Sequence, residues 1–290
     1  MKKGYILKKQ KKRKTSFFKK ITNFISDNSI QIFETSLMLV TSSLPFYFDF
    51  KRIFSTYLQE NYPTPDNVVQ YFLIQSGEVI TAIALILFVL ISVRKSNKDR
   101  IMNRKDIYHD YPLLWYWYCA RVLGYKKCNL VLVPIPMLFK LVHHGVFEEY
   151  PLDENSYPAE ENETINVSKT NWASNPTEVN IILEDTYPVL YSQIPCAKNK
   201  LPTIKVSRND GKNFGRHFSQ KFIENVITQI GNLNSGTKVN VFATTNPLNS
   251  LNIAKRAFTN GNRGNIDSLV VFQQDGYGKR LFQTKGKKIF

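Results

Sequence analysis

Two stretches near the N-terminus stay apolar for longer than a core strand requires. Residues 79–93 (VITAIALILFVLISV) are the strongest apolar run of the chain. With helical turns from residue 69 they reach the ~20 residues that cross a bilayer. Residues 30–48 (IQIFETSLMLVTSSLPFYF) have similar length and more polar positions. The pattern predicts a two-helix transmembrane hairpin over 30–93. Polar residues recur at helical spacing in both arms: Gln31, Glu34, Thr41 and Ser42 in the first, Gln75, Glu78 and Thr81 in the second. A carboxyl group inside a bilayer is costly and faces protein or water. Glu34, Gln75, Glu78 and Thr81 therefore form a candidate polar stripe. It serves either headgroup-depth and helix–helix contacts or a polar path between assembled hairpins.

From residue 178 the period changes. Four runs of strand length, EVNIILED (178–185), PTIKVSR (202–208), KVNVFATT (238–245) and SLVVFQQ (268–274), are interleaved with two helical patterns. The helix over 215–233 sets Phe218, Phe222, Ile223, Val226, Ile227 and Ile230 on one face; the other, from about 249 to 258, carries Leu251, Ile253, Ala254 and Ala257. Strand–helix–strand–helix–strand order predicts a parallel sheet with covering helices, a Rossmann-like domain over 178–290. The predicted fold class is a membrane-anchored α/β protein, two transmembrane helices followed by this cytoplasmic domain.

Residues 94–150 form a membrane-proximal region between the two. The aromatic segment 107–126 suits either a helix lying on the inner leaflet or the core of the soluble domain. NLVLVPIP (129–136) reads as a buried strand closed by prolines, and MLFKLVHHGVF after it as a short helix or second strand. Residues 151–177 are acidic, proline-bearing and without apolar period, which predicts a linker or long surface loop.

Charge orients the hairpin. The formal net charge is +16, and ten basic residues fall within the first twenty. Residues 1–29 are thus a basic tail attracted to anionic lipid or nucleic acid. Arg94, Lys95, Lys98, Arg100, Arg104 and Lys105 follow the second arm, whereas the loop between the arms holds only Lys51 and Arg52. The bias of Lys and Arg toward the cytoplasmic side places both termini inside and the loop outside. Cys119, Cys128 and Cys196 offer neither a disulfide framework nor a zinc pair. No nucleotide-loop, hydrolase or metalloprotease signature occurs, so no metal, cofactor or enzymatic activity is expected.

Parallel sheets bind ligands beyond the C-terminal ends of their strands. The first strand runs into Asp185-Thr186-Tyr187-Pro188. The second runs into SRNDGKNFGR, with Arg208, Lys212 and Arg216 ahead of a helix; the third runs into Thr244-Thr245-Asn246-Pro247. Helix N-termini beside cations favour phosphate. Asn, Ser and Thr are equally ordinary caps there. The candidate ligand-binding residues are Thr186, Tyr187, Arg208, Lys212, Arg216, Thr244, Thr245 and Asn246. The cations would meet phosphates, Tyr187 would stack on a base, and the hydroxyls and amide would bond phosphate or base edges.

The stretch VNVFATTNPLNSLNIAKRAFTNGNRGNIDSLVVFQQ (239–274) resembles the C-terminal part of SAVED domains, the CARF-like cyclic-oligonucleotide sensors of bacterial antiphage systems. The likeness lies in a strand ending in a Pro-containing loop, a helix rich in small residues, and an apolar strand followed by a tyrosine, here Tyr277. EVNIILEDTYPV and PTIKVSR resemble the opening of the same unit. The helix reads Ala254-Lys255-Arg256 where that family usually has Leu-Gly-Arg, and sequence is present for one clear half of the usual two. The resemblance implies a cyclic oligonucleotide as partner, a homo-oligomer, and a bacterial inner-membrane effector that permeabilises the bilayer. Two rival readings are a membrane-tethered nucleic-acid binder, with steeply salt-dependent affinity, and a non-enzymatic membrane scaffold.

Overall fold

Up to residue 143 every named element is a helix, and strands enter from residue 165. The computed structural model describes residues 17–58, 63, 65–66, 68–104, 106–159, 163–208, 215–260, 265–276 and 278–290. Lys212, Tyr277 and the first sixteen residues of the basic tail lie outside the described residues. The chain divides into two compact units, 1–90 and 91–290.

The first unit contains α1 (Phe17–Asp27), α2 (Ser29–Tyr47), α3 (Phe50–Leu58), α4 (Val68–Gln75) and most of α5 (Gly77–Asn97). Part of the expected tail is therefore helix: α1 is amphipathic, with Phe18, Ile21 and Ile25 exposed along one side. Its 21 residues make α5 about 31 Å long. Among the described residues it is the helix long and apolar enough to cross a bilayer, with a mean hydropathy of 2.1. α2 has 19 residues but is diluted by Gln31, Glu34, Thr35, Thr41, Ser42 and Ser43, and does not meet that criterion. Its Gln31 and Glu34 are buried.

The second expected arm is split. α4 and α5 meet at Ser76, whose hydroxyl returns to the Phe72 carbonyl at 2.6 Å. Gln75 thus precedes the break, and Glu78 stands in the first turn of α5 rather than at mid-span. There its Oε1 accepts a long 3.4 Å hydrogen bond from the Lys51 N–H at the start of α3. Thr81, one turn on, is half-buried.

The second unit rests on one six-stranded sheet in the order β1 (Ile165–Thr170), β3 (Thr203–Arg208), β2 (Glu178–Glu184), β4 (Thr237–Ala243), β5 (Ile266–Phe272), β6 (Lys287–Lys288). The inner four strands are parallel and both edges are antiparallel. All four expected strands are present, each end within two residues of its predicted place. Val179, Ile181, Leu183, Val239, Val241, Leu269 and Val271 are buried on one face. Helices α8 (Gln220–Gly231), α9 (Pro247–Ile253, continued by a π-helical turn to Asn260) and α7 (Ile135–His143) pack there. The opposite face carries a narrower apolar strip, Ile182, Phe242 and Phe272. Val189 and Ile194 of the β2–β3 connection and Phe282 near the C-terminus cover it. Among the described residues the α-helices therefore cover one face, and the β2–β3 connection and the C-terminal segment the other.

Two expectations are corrected. The supposed linker is integral to the domain: β1 pairs residue for residue with β3, Tyr157 is buried, and the Phe218 N–H donates to the Pro158 carbonyl at 3.1 Å. Edge pairing needs backbone hydrogen bonds, not an apolar period, so INVSKT carried no burial signal. Residues 129–136 are not a strand. Asn129 Oδ1 accepts from the Val131 N–H at 2.7 Å, Leu132 takes φ +60°, and α7 starts with Pro136 in its first turn. The local side-chain turn and the proline outweigh the apolar run.

The start of this unit is clasped to α6 (Leu113–Arg121). Arg94 Nη1 donates to the Arg121 carbonyl at 2.7 Å and Asn97 Nδ2 to the Leu123 carbonyl at 3.1 Å. Side chains of α5 thereby satisfy carbonyls that a helix end leaves orphaned. Gly124 makes room for this, at φ +80° with a would-be Cβ 2.9 Å from Arg94 Cα. Gly124→Ala is expected to cost at least about 1 kcal/mol and to lower the unfolding temperature of the full chain in detergent. An unchanged unfolding temperature would show that the clasp contributes nothing.

Candidate functional site

The sheet order fixes where a crevice opens. From β2 the chain passes to β3 on one side, then returns through α8 to β4 on the other. Connections diverge between β2 and β4, and such a switch point leaves a ligand-sized gap at the strands' C-terminal ends. A cavity of about 330 Å³ lies there. Of the eight residues expected from the sequence, Thr186, Tyr187, Arg216, Thr244, Thr245 and Asn246 line it. Lys212 lies outside the described residues.

Arg208 is elsewhere. Its side chain is 0% exposed, and so is that of Asp185, with Nε 2.8 Å from Oδ1. The second nitrogen, Nη2, donates to the Gly215 carbonyl at 2.5 Å, and Nη1 lies 3.4 Å from His217 Nδ1. The guanidinium thus holds the Gly215–His217 turn from within, and Arg216 in that turn reaches the crevice. A Cβ at Gly215 would meet the His217 ring at 2.2 Å, so any other residue there displaces that ring.

Asp185 is the hub. Its Oδ2 accepts from the Asn246 N–H and Nδ2, both at 3.1 Å, and from Asn249 Nδ2 at 3.0 Å. Burial pushes its carboxyl up from the usual carboxylate range, and the hydrogen bonds from Asn249, Asn246 and Arg208 oppose that shift. Asn246 also caps α9, accepting from the Asn249 N–H at 2.9 Å. At this helix start Asn246 acts as the cap: its side chain takes the Asn249 N–H and its carbonyl the Ser250 N–H at 2.9 Å. Thr244 Oγ1 donates to the Tyr187 carbonyl at 2.8 Å, Thr186 bonds the Thr244 carbonyl, and Thr245 pairs with Ser250. These side chains fix the two strand-end loops against each other.

The side chains left to face a ligand are Tyr187 and Arg216, with additions that the sequence pattern did not indicate. Arg280 stacks over the Tyr187 ring, 3.8 Å from its centroid. Leu132, Gln273, Gln274 and Asp275 complete the wall. Gln273 Oε1 and Gln274 Nε2 are buried atoms without a hydrogen-bond partner among the described residues. Two cations, an aromatic ring and an unmatched amide acceptor and donor suit an anionic, base-bearing ligand. Among the described residues no group of His, Cys, Asp and Glu is gathered to hold a metal.

A parallel α/β domain with a crevice at its switch point, joined to an apolar helix of bilayer length, defines a membrane-associated α/β protein. The chain belongs to the SMODS- and ubiquitin system-associated 2TM effector domain family, whose model matches residues 16–290. No curated protein matches the sequence. Similar solved structures include the Acinetobacter baumannii Cap4 SAVED/CARF-domain containing receptor with the cyclic trinucleotide 3'3'3'-cAAA, at 7% identity and a TM-score of 0.38, covering 58% of this chain and 40% of that one. The same receptor with 2'3'3'-cAAA gives 8% identity and a TM-score of 0.35, covering 57% and 39%. The chain spans about two fifths of those receptors' length.

Proposed function

We propose that this chain is a bacterial inner-membrane effector of antiphage signalling. In this reading the cytoplasmic domain binds a cyclic oligonucleotide and the membrane helices then permeabilise the bilayer. The observation that carries it is the crevice at the β2/β4 switch point, where Tyr187, Arg216 and Arg280 converge. Arg216 and Arg280 meet phosphates, since charge-assisted contacts are the strong ones. The ring of Tyr187 supplies a stacking surface for a base. Thr186, Thr244, Thr245 and Asn246 hold the loops at the right spacing, and Arg208 positions Arg216 from below. Lys212, beyond β3, is a further phosphate partner. The domain acts by binding, not by catalysis.

At about 330 Å³ the crevice is at the small end of ligand sites. A cyclic oligonucleotide extends beyond it and is shared between copies, which is the basis for a homo-oligomer. α2 serves as the second span: its 19 residues reach about 28 Å. Its hydroxyls cost little there, because Thr35, Thr41 and Ser43 return their hydrogens to Gln31, Leu37 and Val40 carbonyls at 2.7–2.8 Å. The charge asymmetry keeps both termini cytoplasmic, and the basic tail adheres to anionic lipid. Messenger binding opens the membrane only if the open arrangement is bound more tightly than the closed one.

The test is dye release from vesicles reconstituted with the full chain. Leakage on adding one of a panel of cyclic di- and trinucleotides is expected. No leakage with any of them at saturation would end the permeabilisation reading. Glu78 is the only acidic side chain of α5, so Glu78→Leu is expected to abolish the leakage while messenger affinity stays unchanged. Leakage equal to that of the parent would reduce α5 to an anchor.

A further inference from the structure

α6 has two faces. Tyr116 and Cys119 are buried, whereas Leu114 is 72% and Trp117 49% exposed, and Arg121 follows one turn further along the same side. Beside this face lies a largely apolar groove of about 550 Å³, lined by Leu113, Leu114, Trp117, Arg121, His144 and Val146. Exposed Leu114 and Trp117 at the rim of an apolar groove, next to a cation, mark a contact surface.

The clasp identifies the surface it meets. Arg94, in the last turn of α5, holds the backbone of Arg121 at 2.7 Å, and Asn97 holds that of Leu123. Arg121 and Val146 line both this groove and the smaller cleft that Arg94 enters. The last turn of α5, from Arg94 to Asn97, and the exposed face of α6 are therefore neighbours within the second unit. Cations are dense along the adjoining chain: Arg94 and Arg121 line the cleft, and Lys95, Lys98 and Arg100 follow Arg94 in sequence, all exposed. Tryptophan and leucine beside cations are the composition of a headgroup-level contact.

We propose that the Leu114–Trp117–Arg121 face of α6 seats on the anionic cytoplasmic leaflet, its apolar side chains at the acyl–headgroup boundary and Arg121 among the phosphates. The proposal rests on α5 spanning the membrane. It gives the crevice-bearing unit a second attachment to the bilayer, beside the chain connection itself.

The test uses the full chain in vesicles containing anionic lipid, with Trp115→Phe and Trp172→Phe leaving Trp117 as the sole tryptophan. Lipids brominated at shallow chain positions are expected to quench Trp117 strongly and deep ones weakly, with loss of access to aqueous iodide. Should that background fold poorly, quenching of the native chain minus that of Trp117→Phe gives the same quantity. Trp117 open to iodide and untouched by brominated lipid would overturn the proposal. Shielding from both quenchers would also overturn it, since a protein surface would then cover the face. Phe88→Trp with Trp117→Phe added to that background separates the underlying reading: deep-bromine quenching in this variant, with none at Trp117 in the first, sinks only the α6 seat. Absence of quenching at both positions removes the span and the seat together.

Discussion

Arg208→Met is expected to cost about 3–5 kcal/mol of folding stability, because it leaves the Asp185 carboxylate buried without its cation. The pair is 0% exposed on both sides, and the same guanidinium holds the Gly215 carbonyl. A domain of this size has roughly 5–15 kcal/mol in total, so the loss approaches unfolding. The mechanism makes a second claim that separates it from simple damage. Replacing both partners, Asp185→Leu with Arg208→Met, removes the uncompensated charge and is expected to recover part of the loss. The Asn246 and Asn249 amides would keep only the His217 carbonyl, and the Asn246 N–H would lose its acceptor, so recovery is incomplete. The measurement is thermal unfolding of the full chain in detergent, with hydrogen exchange at β2 and β4 amides reporting on the second unit. A single variant as stable as the parent would mean that Arg208 is not a structural bolt.

Arg216→Ala is expected to behave in the opposite way. Its side chain is exposed, so stability should stay within about 0.5 kcal/mol. Messenger affinity should fall by about 1–3 kcal/mol if the contact to phosphate is direct, roughly tenfold to a hundredfold. Tyr187→Ala removes both the stacking surface and the partner of Arg280; loss of a base–aromatic stack is worth about 1–3 kcal/mol. Thr245→Ala should affect affinity less than either, since its hydroxyl is spent on Ser250. The pairing of a stability-only variant with an affinity-only variant distinguishes the bolt beneath the crevice from its lining.

The central strands were readable in the sequence because their apolar runs are bounded by turn residues, and the crevice followed from the rule for strand ends. The role of Arg208 did not follow from its own neighbourhood, in which it is one cation of three. The signal was non-local. Glu184 pairs with Ser207 in the parallel register, so Asp185 and Arg208 come next to each other on the helix-covered face. Setting the two predicted strands side by side would have shown opposite charges at one buried position. β1 left no trace, because an exposed edge strand is held by backbone pairing. In α1 the lysines interrupted an apolar period that the structure nonetheless shows, with Phe18, Ile21 and Ile25 aligned. Arg280 sits in an irregular segment after β5, and only folding brings it over Tyr187.

Calorimetric titration of the full chain in detergent with cyclic di- and trinucleotides addresses the central claim most directly. At least one cyclic oligonucleotide is expected to bind in the micromolar range or tighter, with affinity reduced about tenfold to a hundredfold by Arg216→Ala and unaltered by Glu78→Leu. A well-folded chain that binds none of them, or binds one with Arg216→Ala and Tyr187→Ala both at parental affinity, would contradict the account.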